Sequence, residues 1–103
     1  MWYAVCLLFK SIHVCPSKDD LWEESIRLIM ADNKEMALQK AQNIGKSDET
    51  AYENVQGDMV KWKFVQIERI YEIVEGSISD GIEVFSRFLR ESEVNSILTP
   101  FED

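Results

Sequence analysis

Residues 2–9, Trp-Tyr-Ala-Val-Cys-Leu-Leu-Phe, contain no charged or amide side chain. An apolar run of this length, rich in aromatics and without period-two alternation, predicts a strand buried on both faces. Such a strand needs a cover on each side, and that requirement governs the reading of everything after it. With 103 residues, 46% apolar and 29% charged, the chain reads as one globular domain over 1–103.

Residues 11–20 break the pattern, with Pro16, Ser17, Lys18, Asp19 and Asp20 marking a polar loop. Alternation returns from Leu21 to Ala31. Trp22, Ile26, Leu28 and Met30 fall on one face of this half-buried strand, and Glu23, Ser25 and Arg27 on the other. Glu24 is the anomaly, a carboxylate on the apolar side. Asp32 with Glu35 forms a capping-box-like start, and Ala37, Leu38, Ala41 and Ile44 follow at helical spacing. A helix over 33–44 is predicted, with Gly45 as a left-handed stop and a small alanine face that fits close against a sheet.

Residues 50–74 read as a hairpin: Thr50 to Val55, a turn at Gln56-Gly57-Asp58, and a long arm from Met59 to Val74. The apolar parity switches within that arm. Val60, Trp62 and Phe64 are even, whereas Val65, Ile67, Tyr71 and Ile73 are odd, which predicts a bulge near Phe64–Gln66. Residues 75–81 form an acidic loop, Ile82 to Arg90 a last strand, and the tail from Glu91 a short helical turn before Pro100. The predicted fold is α+β: a curved antiparallel sheet of about five strands in the order β-β-α-β-β-β, with one main helix on a face and a short C-terminal helical element. One helix of this length cannot cover both faces of such a sheet. Strong curvature or a second copy of the chain must hide the rest, and a homodimer is expected.

Eleven basic residues against nineteen acidic ones give a net charge of −8 and a pI near 4.6. Nucleic-acid binders carry a basic face, so a nucleic-acid partner is not expected even though Lys61 and Lys63 flank Trp62. The deficit lies mainly in residues 51–103, with 11 acids and 5 bases. The N-terminal apolar run has no basic residue ahead of it and ends at Lys10, too short for a signal peptide or a membrane span. Two cysteines in this setting indicate a reduced, cytoplasmic protein. Cys6 reads as a small buried hydrophobe. Cys15 near His13 has no further Cys/His pair to complete a metal site. No cofactor, metal or catalytic residue is implied, and enzyme activity finds little support: there is one histidine and no phosphate-cradling glycine loop.

The segments Trp2-Tyr3-Ala4, Leu21-Trp22-Glu23-Glu24-Ser25 and Tyr52-Glu53-Asn54 with Gly57 form a set with Val60-Lys61-Trp62-Lys63-Phe64 and Gly81-Ile82-Glu83-Val84-Phe85-Ser86-Arg87. This set resembles an uncharacterised bacterial family of small domains of unknown function. The resemblance implies a bacterial source and a stand-alone domain of about this length. It carries over no catalytic residue.

The candidate ligand- or partner-binding residues are Trp22, Glu24, Tyr52, Trp62 and Arg87. A carboxylate buried without a partner is costly, so Glu24 should find a cation such as Arg87, Lys61 or Lys63, or sit at the sheet margin. The bland reading is a structural ion pair, with the tryptophans as core. The functional one is a polar anchor in an aromatic pocket of Trp22, Tyr52 and Trp62. Glu72, Glu75, Asp80 and Glu83 read as solvated, or as an acidic surface for a basic partner. The leading expectation is a small dimeric protein-interaction module, of inhibitor or immunity type. The alternative is a small-molecule-binding domain, or a minor enzyme, using a Trp22/Glu24/Trp62 pocket.

Overall fold

The computed structural model describes residues 1–13, 21–74 and 78–99. The element order is β1 (Trp2–His13), β2 (Trp22–Met30), α1 (Lys34–Ser47), β3 (Thr50–Glu53), β4 (Met59–Ile73) and α2 (Glu91–Leu98). The strands form one antiparallel sheet in the order β2-β1-β4-β3. It curls into a half-barrel with α1 on one face. The fold is α+β as expected, but with four strands among the described residues.

The apolar run that begins the chain is the inner strand β1, flanked by β2 and β4, and it extends four residues beyond Phe9. Tyr3, Val5, Leu7 and Phe9 point to the helix face and join Ile29, Ala31, Ala37 and Ala41 in the core. Ala4 and Cys6, on the opposite face, are buried too. The predicted polar loop therefore starts later than residue 11, and its remainder, with Cys15, lies outside the described residues.

Helix α1 is capped by Asn33, whose side chain accepts from the Met36 amide at 2.9 Å, and not by Asp32. It runs through Gly45 to Ser47. Gly45 has no positive φ, so its role as a left-handed stop is not realised. The hairpin turn is built on Asn54, whose Oδ1 accepts from the amides of Gln56 and Asp58 while Gly57 takes φ 85°. That side chain satisfies the turn early, and β3 ends at Glu53 rather than Val55.

Strand β4 carries two bulges. Its pairing with β1 steps from Phe64 to Gln66 and from Ile67 to Arg69, leaving Val65 and Glu68 as extra residues. Each bulge resets the parity. Val60, Trp62, Phe64, Ile67 and Ile70 thereby all lie on the helix face, opposite the odd-numbered residues of β1. The first bulge is the one the parity switch predicts, and the second increases the curl.

The expected last strand, 82–90, is not part of the sheet. Both edges of β4 are taken, by β1 and β3, so no ladder is open to this segment there. It lies instead on the face opposite α1. The rings of Phe85 and Tyr71 meet at 6.0 Å, the Tyr71 hydroxyl donates to Glu83 at 2.6 Å, and Arg87 sits 3.9 Å from Glu68. The short helical tail is α2. Of the acidic loop over 75–81, residues 75–77 lie outside the described residues.

Candidate functional site

Strand β2 inverts the usual rule for a sheet with one helix-covered face. Its register with β1 pairs Tyr3 with Ile29, Val5 with Arg27, Leu7 with Ser25 and Phe9 with Glu23. Since β1 sends these odd-numbered residues to the helix, the polar side of β2 follows them inward. Trp22, Ile26, Leu28 and Met30 therefore point away from α1, and are 54%, 49%, 48% and 50% exposed. The strand is half-buried as predicted, but the covered side is the polar one.

The local chemistry explains how the polar side is accommodated. Arg27 reaches Asp48, the C-cap residue of α1, and its Nε donates to the Ser25 hydroxyl at 2.8 Å. Only Ile29, next to the start of α1, is apolar there and fully in the core. Toward the far end the sheet opens into a cleft of about 410 Å³ lined by Phe9, Glu23, Arg27, Asp48, Thr50 and Trp62.

On the outer face, the ammonium of Lys10 lies 5.4 Å from the Trp22 ring centre. Lys63 pairs with Lys10 and Lys61 with Ile12, which places a small basic cluster beside Trp22 on an otherwise acidic chain. Glu24 sits opposite Leu8 and is exposed, at the margin of the face. Burial, followed by the charge of the nearby Glu24 carboxylate, pushes the Cys6 thiol up to about 12. Arg87 pairs with Glu68, not with Glu24.

The five candidate residues are thus divided between the faces. Trp62 pairs with Ser11 and Tyr52 with Val60, on the helix face, whereas Trp22 pairs with Lys10, on the outer one. Glu24 shares the outer face with Trp22, and Arg87 approaches that face from the segment 82–90. A Trp22/Glu24/Trp62 pocket is not formed. Phe9, Glu23, Arg27 and Asp48, which line the cleft with Trp62, were not singled out by sequence. Glu23 and Arg27 on the polar side of β2 were the only signal for it.

Beyond Arg87 the chain leaves the sheet. Phe88 is fully exposed, and α2 packs against no other helix or strand among the described residues. In α2, Ile97 and Leu98 are 60% and 75% exposed. No helix is long and apolar enough to cross a membrane, and no group of three or more His, Cys, Asp or Glu side chains is placed to hold a metal among the described residues.

A helix-backed half-barrel with an apolar outer edge and a projecting arm is the class of domain these features define. The model of a domain of unknown function, DUF4288, matches residues 2–86, and the chain belongs to that family. No curated protein and no solved structure matches the chain.

Proposed function

We propose that this protein is a small interaction module that self-associates through the outer face of β2. The observation that carries the reading is the inversion of β2: its apolar side faces solvent while Glu23, Ser25 and Arg27 face the helix. Contiguous exposed apolar patches on a small soluble domain mark contact surfaces, and the exposed Trp22 is the side-chain type that dominates such contacts. Cys6, a buried free thiol, fits a reducing, cytoplasmic setting. The exposed acids Glu72, Asp80 and Glu83 favour a basic protein as a further partner. Light scattering across a concentration series tests the reading: a dimer is expected for the natural chain, and a monomer at every concentration overturns it.

A second reading, small-molecule binding, draws on the cleft. Phe9 and Trp62 supply aromatic walls, and Arg27 and Asp48 neutralise each other, which leaves Glu23 as the net charge. That chemistry suits a small organic cation. Quenching of Trp62 fluorescence by tetramethylammonium, lost in Trp62→Phe, would support it, and an unchanged spectrum would remove it.

A further inference from the structure

The chain displays two unpartnered apolar surfaces, and they complement each other. One is the outer face of β2. The other is the arm that follows Arg87, where Val94, Ile97 and Leu98 recur at i, i+3 and i+4 and form one stripe along α2. An isolated helix this short is not stable in water, because helices below about 12 residues are marginal without packing. Yet α2 has no packing partner among the elements of its own chain.

Resting on the reading that the outer face of β2 is a self-association surface, we infer that its occupant is the C-terminal arm of a second copy: α2 of each chain docks on Trp22, Ile26, Leu28 and Met30 of the other. The arm's own β2 is not its target. Residues 83–87 are fixed over β4 by Tyr71 and Glu68, and the chain then heads off the sheet at Phe88. Reciprocal exchange satisfies both surfaces twice under one two-fold axis.

Charge and area agree with this arrangement. Helix α2 carries Glu91 and Glu93 in its first turn and no basic residue in its last. Lys10, Lys61 and Lys63 stand beside Trp22 at the end of the receiving face. An arm led by Phe88 and meeting a face led by Trp22 buries on the order of 700 Å² of apolar surface. Two such contacts give about 1,400 Å², within the range of stable interfaces.

The test uses two variants of the full chain and their mixture. Ile97→Asp with Leu98→Asp disables the arm, and Leu28→Asp disables the face. Met30→Asp serves as a second face variant should Leu28→Asp lose its native circular dichroism. Each variant alone is expected to be a monomer in analytical ultracentrifugation. An equimolar mixture regains a dimer, with a Kd at least tenfold weaker than that of the natural chain, because one arm–face contact of the two survives. If the arm variant remains as dimeric as the natural chain, arm exchange is overturned and self-association through the face stands. A mixture that stays monomeric overturns the pairing of arm with face. A natural chain that is itself monomeric overturns both this inference and the reading on which it rests.

Discussion

Gly45, in the last turn of α1, lies against the ring of Phe64 in β4. A Cβ built on Gly45 would stand 2.6 Å from the Cγ and Cδ1 atoms of that ring. The same ring meets that of Phe9, at 5.7 Å between centroids. Gly45 is therefore required for the close approach of helix and sheet, and not for its backbone freedom.

Gly45→Ala should destabilise the fold. Alanine gains about 1 kcal/mol in helix propensity, but overpacking at a fixed aromatic costs about 1–3 kcal/mol. Because Cγ is close to the backbone, the ring cannot swing clear without moving β4. With the 2.6 Å approach placing the cost at the upper end of that range, a net loss of about 2 kcal/mol in urea unfolding is expected, with recovery in Gly45→Ala/Phe64→Leu. A variant as stable as the natural chain would show that helix and sheet do not approach this closely.

The segment 83–87 should be held over β4 by a contact that fails at both ends of the pH scale. The hydrogen bond from Tyr71 holds the Glu83 carboxyl below its ordinary value, with Ser86 contributing in the same direction. The same bond to Glu83 raises the Tyr71 hydroxyl. The Glu83 contribution is full above the ordinary carboxylate pKa and is lost as pH falls through the depressed value. The Tyr71 contribution is full below the ordinary phenol pKa and is lost as pH rises through the raised one. In an NMR titration, Tyr71→Phe should move the Glu83 carboxyl back up. An unmoved carboxyl would mean that the segment 83–87 is not docked at Tyr71.

Cys6 should be unreactive in the native state. Its thiol is buried and pushed from 9.0 to about 12, so thiolate is scarce at neutral pH. In a Cys15→Ser background, labelling by a disulfide reagent at pH 8 should follow global unfolding. Rapid native-state labelling would contradict the burial. The unfolded thiol ionises near 9 and the folded one near 12, so the Cys6 contribution is full below 9 and is lost as pH rises toward 12. The stability of Cys6→Ala should accordingly fall less steeply than that of the natural chain over that interval.

The helix cap separates two adjacent residues. Asn33→Ala removes the acceptor of the Met36 amide and should cost about 1 kcal/mol. Asp32→Ala removes no cap and should stay within about 0.5 kcal/mol of the natural chain. The reverse order in thermal unfolding would place the cap at Asp32.

Patterns carried within a single segment were legible in the sequence. The run from Trp2, the alternation of β2, the helix and the parity switch at Val65 all express a local period. The bulge at Glu68 was not legible, because a charged residue among Ile67, Arg69 and Ile70 leaves no apolar mark of the slip. Residues 82–90 have the composition of a strand, but strand formation also needs an open edge, and that is a property of the whole sheet. The candidate site failed for a related reason. The alternation of β2 correctly groups Trp22 with Ile26, Leu28 and Met30, but only the pairing of Tyr3 with Ile29 decides which group faces the helix.

The bulges in β4 also act as slack in chain length. Val65 and Glu68 are supernumerary in the pairing with β1, so loss of either leaves every other residue of the strand on its present face. Phe64 would still oppose Phe9, and Ile67 would still oppose Leu7. What would change is the curl, and with it how tightly the sheet wraps α1. Loss of one residue in the paired arm β1 has no such reserve: it would invert everything beyond it. Of the two long strands, one sets the phase of the sheet, and the other can shorten by two residues without inverting a face, at the loss of the Glu68–Arg87 contact.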